Sequence, residues 1–172
     1  MGQALGKKRK SSYIRHPDSI ASATVKGPNM KTLKQLLATK TQSLAAVSPK
    51  DSVLHALQVM ADNDVGALLV LEGEALVGIF SERDYARKII LHGKASKDTL
   101  VSEAMTDKVF SVTPNHSVAE CLALMSEKRF RHLPVLDDQQ QLVGIVSIGD
   151  LVKETIAHQE FLIKQLETYI AG

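Results

Sequence analysis

Apolar and polar positions follow the same order twice along this chain. The first copy reads SLAAVSPKDSVLHALQVMADNDVGALLVLEGEALVGIFSERDYARKII and the second VFSVTPNHSVAECLALMSEKRFRHLPVLDDQQQLVGIVSIGDLVKETI. Val53, Leu57 and Met60 correspond to Val118, Leu122 and Met125 at an offset of 65, whereas Gly78, Ser81 and Asp84 correspond to Gly144, Ser147 and Asp150 at an offset of 66. One residue of difference in a turn therefore separates the copies. In each, a short apolar run closes on Ser48-Pro49 or Thr113-Pro114, and a helical period begins near Ser52 or Ser117. Ser117 with Glu120 has the spacing of a capping box. Two short apolar runs follow, ALLVL and LVGIF, then LPVLD and LVGIV, each pair joined by an acidic turn containing Gly or Gln, as in a hairpin. A last helix opens at Ser-x-x-Asp. The unit is β-α-β-β-α, and its half-covered sheet must find a packing partner, which predicts an α+β fold of two packed repeats.

The flanks have other patterns. Leu33, Leu36 and Leu37 in MKTLKQLLATK suit a short amphipathic helix. Phe161, Leu162, Leu166, Tyr169 and Ile170 give the tail an apolar stripe that either lies on the module or pairs with another chain. Residues 1–29 have no period and contain KKRK, Pro17 and Gly27-Pro28, so they read as a flexible basic leader ahead of a start at Met30. The expected division is leader 1–29, first repeat 30–95, second repeat 96–158, and C-terminal amphipathic helix 159–172.

Charge changes this picture. The leader holds six Lys/Arg against one Asp, and the remainder fifteen Lys/Arg against eighteen Asp/Glu. The folded part is mildly acidic, which argues against a nucleic-acid-binding surface there. Nucleic-acid binding through residues 1–29, an organelle transit signal and a nuclear signal at KKRK are the readings the leader itself allows. No apolar run is long enough for a membrane span. The single cysteine, Cys121, excludes an intrachain disulfide and suits the cytoplasm. Its place among Leu122, Leu124 and Met125 marks it as a core thiol.

The residues that could carry chemistry lie at the ends of the hairpins. Ser81 and Ser147 stand where a helix cap is wanted, and Asp84 and Asp150 follow in the first turn. Capping alone explains one such turn. A nucleotide site explains two, because a helix N-terminus attracts phosphate and a carboxylate accepts the hydrogens of a ribose diol. Arg83, Arg131 and His132 supply positive or switchable charge, with Arg suited to forked phosphate contacts. Gly66 and Ala67 occupy in the first copy the positions of Arg131 and His132 in the second, so the two sites are expected to be unequal. The histidines have no metal-ligand spacing, and GxSxG, P-loop and GxGxxG motifs are absent. The chain therefore reads as no enzyme, with neither catalytic cofactor nor metal.

The doubled Ser/Thr-Pro, paired strands and final Gly-apolar-apolar-Ser-x-x-Asp resemble the CBS domain, named after cystathionine β-synthase, and residues 31–158 resemble a CBS pair. SERDYARK, FRHLPV and SIGDLVK are similar to segments of small stand-alone tandem-CBS signal-transduction proteins. The resemblance implies two β-α-β-β-α repeats with pseudo-twofold symmetry and clefts between them for AMP, ADP, ATP, NAD-type dinucleotides or S-adenosylmethionine. It implies ribose contacts at Asp84 and Asp150, and ribose or phosphate contacts at Ser81 and Ser147. Arg83, Arg131 and His132 would face phosphates, and backbone near Val47, Gly66, Ala67 and Val112 would border the base. It also implies a homodimer acting on a separate regulated protein. The competing expectation is a purely structural interaction module that binds no nucleotide.

Overall fold

The computed structural model describes residues 14–15, 30–40 and 44–172. Most of the expected basic leader lies outside these residues; within it only the two-residue strand β1, Ile14–Arg15, is described, paired with β5, Phe110–Ser111. The described residues form two compact units, one built from 14 and 45–109 and the other from 15, 30–40, 44 and 110–172. The units do not follow the repeat boundaries: the segment preceding each repeat packs with the opposite one.

In the first unit, β2 (Ala46–Val47) runs parallel to β3 (Ala67–Glu72), which pairs antiparallel with β4 (Ala75–Ser81). Between them α2, Val53–Asn63, is started by Ser52, whose hydroxyl accepts from the His55 amide, and ended by Asp64 in the left-handed region at φ 51°. After β4 comes one α-helical turn, α3 (Glu82–Asp84). The chain then widens into a π-helical stretch, Tyr85–Ile89, and ends in a 3₁₀ turn at Ile90–His92. Helix α4, Val101–Ala104, covers the unit.

The second unit repeats the plan. Val112, just after β5, bridges in parallel to Val135 of β6 (His132–Leu136), and β6 pairs antiparallel with β7 (Leu142–Ser147). Both hairpins shift register at the same place, after Val70 and after Val135. Helix α5, Val118–Lys128, has the expected capping box: the Ser117 amide donates to Glu120 Oε2 at 2.7 Å, and the Glu120 amide donates to Ser117 Oγ at 3.2 Å. It ends at Arg129 in the left-handed region, the counterpart of Asp64. The last helix, α6, runs unbroken from Ile148 to Ala171, so the amphipathic tail continues the helix of the repeat. No Pro lies in that stretch and its one Gly is in the first turn, so nothing in the sequence ends it earlier.

The cores are aliphatic. In the first unit Val53, Ala56, Met60, Leu68, Val70 and Phe80 pack with Val101 and Ala104; in the second Val118, Cys121, Leu124, Met125, Leu133 and Val146 pack with Leu33 and Leu36. The buried centres of the two long helices are Ala56 and Cys121, while Leu57 and Leu122 are half-buried at the margin. Helix α1 (Leu33–Ala38) and α4 play one role. The Lys34 amide donates to Pro114 O at 2.9 Å, and the Ser102 amide to Pro49 O at 3.0 Å. Each covering helix presses on the glycine of its unit's second hairpin strand. A Cβ on Gly144 would lie 2.7 Å from Leu37 Cδ2, and one on Gly78 would lie 2.6 Å from Met105 Sδ. The close approach expected of these glycines is real and involves the covering helices.

Candidate functional site

Each unit brings its predicted residues together at the end of its hairpin. In the second unit His132 opens β6 opposite Ser147, the last residue of β7, and the Ile148 amide donates to Arg131 O at 2.8 Å. In the first, Ala67 stands opposite Ser81, and the Glu82 amide donates to Gly66 O at 3.1 Å. Val47 and Val112 hold matching positions on the neighbouring strand, paired with Val70 and Val135. Arg83 and Arg131 are exposed; His132 is half-buried. The replacement of Arg-His by Gly-Ala therefore falls at one structural position in both units.

The Ser-x-x-Asp turns are full capping boxes. The Ser147 amide donates to Asp150 Oδ2 at 2.8 Å and the Asp150 amide to Ser147 Oγ at 3.1 Å. The Ser81 amide and hydroxyl donate to Asp84 Oδ2 at 3.1 and 2.6 Å, and the Asp84 amide to Ser81 Oγ at 3.2 Å. The structural purpose of these residues is thus met in both units.

Each carboxylate also carries an ammonium that the sequence reading did not single out. Lys40 Nζ lies 2.7 Å from Asp150 Oδ2 and donates to Ile145 O at 3.1 Å. Lys88 Nζ lies 2.9 Å from Asp84 Oδ1 and donates to Ala104 O and Met105 O at 2.8 and 3.0 Å. Lys88 is four residues beyond Asp84, a spacing visible in sequence; Lys40 is 110 residues from Asp150 and left no such signal. The carboxylates differ in a second way. Thr106 Oγ1 donates to Asp84 Oδ1 at 3.0 Å, so both of its oxygens are engaged. At Asp150 the Lys40 ammonium and the Ser147 amide both fall on Oδ2, and the Ser147 side chain bonds the carboxylate as well, with no counterpart of Thr106 among the described residues.

Burial would raise the Asp150 carboxyl, but the Lys40 bond and the Ser147 amide outweigh it and hold the carboxyl below its ordinary range. Burial lowers His132, helped by Lys40 and Arg131 and opposed by Asp150, so the ring favours the neutral form. The second unit thus gathers one carboxylate, one imidazole, one ammonium and one guanidinium at the N-terminus of a 24-residue helix. Such a set accepts from a diol and attracts an anion. Burial, with the Glu120 charge adding to it, pushes the Cys121 thiol up to about 12, which removes it as a nucleophile.

A CBS-domain family model matches residues 35–91 and 101–156. This protein belongs to the CBS domain family and carries two copies of the domain. It is 42% identical over 127 residues to the mitochondrial CBS domain-containing protein CBSX3 of Arabidopsis thaliana, covering 71% of this chain but only 61% of that relative. It is 36% identical to the CBS domain-containing protein YhcV of Bacillus subtilis, covering 70% of this chain and 85% of that one. Among solved structures, the CBS-domain protein NE2398 matches with a TM-score of 0.71 at 51% identity, covering 74% of this chain and 99% of its own. CBSX2 in complex with AMP matches at 0.61 and 28% identity, covering 75% and 98%. An inosine-5'-monophosphate dehydrogenase of Methanocaldococcus jannaschii matches over 22% of its length. No helix among the described residues is long and apolar enough to cross a membrane.

Proposed function

We propose that this chain is a regulatory sensor that binds an adenine nucleotide, of the AMP, ADP, ATP or NAD type, at its Ser-x-x-Asp turns and signals by a change of shape or partner affinity. It works without catalysis, as a cytoplasmic homodimer acting on another protein. The single observation that carries this reading is the turn at Ser147: a carboxylate held by its own cap, with Lys40, Arg131 and His132 close by, at a long helix's N-terminus. The diol of a ribose would bond Asp150, and phosphate would meet the helix end and the basic side chains. AMP bound to CBSX2 supports the choice of nucleotide. The basic leader, together with the mitochondrial name of the Arabidopsis relative, favours an organelle as the second candidate compartment.

The two turns are unequal. A ligand at Asp84 must displace Thr106 or Lys88, and meets Gly66 and Ala67 where the other unit offers Arg131 and His132. One tight site per chain, at Asp150, is the expected stoichiometry. Calorimetry with AMP, ADP, ATP and NAD should show Asp150→Ala abolishing tight binding and Asp84→Ala leaving it largely intact. The competing reading, a module whose turns only cap helices, is favoured by the completeness of the caps. It requires that no nucleotide raise the melting temperature, whereas a ligand at a hundred times its dissociation constant adds about 2.7 kcal/mol of stability.

A further inference from the structure

Among the described residues, two acceptors hold the Lys40 ammonium, and one of them is the carboxylate assigned to the ribose. Nζ donates to Asp150 Oδ2 at 2.7 Å and to Ile145 O at 3.1 Å, from a side chain 26% exposed. Oδ2 also accepts from the Ser147 amide at 2.8 Å. A carboxylate oxygen has two lone pairs, so Oδ2 is fully used. A ribose diol bonded in bidentate fashion needs both oxygens, and one of the two present donors must therefore leave. The Ser147 amide is fixed in the cap of α6. The ammonium stands at the end of a flexible four-carbon stem, so Lys40 is the group that moves. Lys88 in the first unit is tied more closely: besides Asp84 it reaches Ala104 O, Met105 O and Thr106 Oγ1 at 2.8, 3.0 and 3.4 Å.

An ammonium that gives up its carboxylate in a part-buried site must find another anion or lose the interaction. An uncharged nucleoside brings no replacement. A phosphate does, and brings it within reach: the Lys40 charge acts on His132 as well as on Asp150, and His132 is one of the groups expected to face phosphate. We infer that Lys40 sets the ligand class of this site by exchange, yielding Asp150 to the ribose and passing to the ligand's phosphate, so that phosphorylated nucleosides bind and the uncharged nucleoside is turned away. This rests on the reading of the Ser147 turn as a nucleotide site and goes beyond it in making the phosphate obligatory. Arg131 cannot impose the same rule. An exposed guanidinium rewards a phosphate when one is present, but only a counter-ion of Asp150 penalises its absence.

Calorimetry on the full chain with AMP and adenosine reads the exchange. Wild type should prefer AMP by about a hundredfold or more, and in Lys40→Met AMP should weaken about tenfold while adenosine tightens by a comparable factor. Arg131→Ala is the contrast: AMP should weaken and adenosine stay as it is. Melting shows whether each variant is folded, and Lys40→Gln repeats the measurement with a side chain that still has a donor for Ile145 O. Equal weakening of both ligands on loss of Lys40 would make the residue a structural brace and overturn the inference. So would adenosine binding no better than to wild type, or a wild type that takes AMP and adenosine alike. A wild type that binds neither removes the nucleotide reading and this inference together. AMP binding that is lost in Asp150→Ala, with the AMP-to-adenosine ratio unmoved by Lys40→Met, removes the inference alone.

Discussion

Lys40 and Asp150 show how a local helix cap becomes something more through a contact made far along the chain. The carboxylate would cap α6 without help, and Lys40, with both side chains about one quarter exposed, adds a counter-charge at 2.7 Å. Lys40→Met should raise the Asp150 carboxyl toward its ordinary value of 3.8 and lower stability by about 1 kcal/mol, read by carboxyl NMR titration and denaturant unfolding. Acid should weaken the second unit in two stages. His132 has a folded pKa below its ordinary 6.5, so the unfolded chain takes up a proton first, and its contribution declines as pH falls through that value. Asp150, also lowered, contributes fully above the ordinary carboxylate range and is lost as pH falls through its folded value. His132→Gln should flatten the first stage and leave the second. Ser111 is a simpler case: its hydroxyl is buried with no hydrogen-bond partner among the described residues, and the first unit has Ala46 there. Ser111→Ala should leave stability unchanged or raise it by about 1 kcal/mol.

The helices were legible in sequence wherever period and cap agreed. Ser52, Ser81, Ser117 and Ser147 all accept from the amide three residues on. The paired strands were legible too, because a two-stranded hairpin is local. Less legible was what covers each hairpin. Leu37 reaches Gly144 across most of the chain and Met105 reaches back 27 residues to Gly78, and neither glycine announces its partner. The π-helical stretch at Tyr85–Ile89 was also hidden, since its residues have no pattern different from an ordinary helix. At this scale capping separates from binding. Ser117→Ala should cost about 1 kcal/mol in stability and leave nucleotide affinity unchanged. Ser147→Ala should cost a similar amount and weaken nucleotide binding as well, as compared by melting and calorimetry on the same preparations.

For the whole molecule, the repeats in sequence and the compact units in space are cut at different places. Duplication was plain in the sequence because the residues match in order; the packing of residues 30–40 with 110–172 was not, because an amphipathic helix shows only that one face is buried. Leu33, fully buried beside Val118 and Leu151, ties the second unit together over more than eighty residues. Leu33→Ala should destabilise by about 2–5 kcal/mol, with hydrogen exchange rising in α5 and α6 more than in α2. The order of synthesis gains a meaning from this division. Residues 45–109 emerge as one uninterrupted stretch and need only local closures, whereas the other unit joins an early segment to the last third of the chain. On a ribosome, α1 must wait, its leucines exposed, until α5 and β6 have left the tunnel. The chain therefore carries an aggregation-prone interval as long as its own first unit, and a truncated product ending near residue 109 would retain that interval permanently.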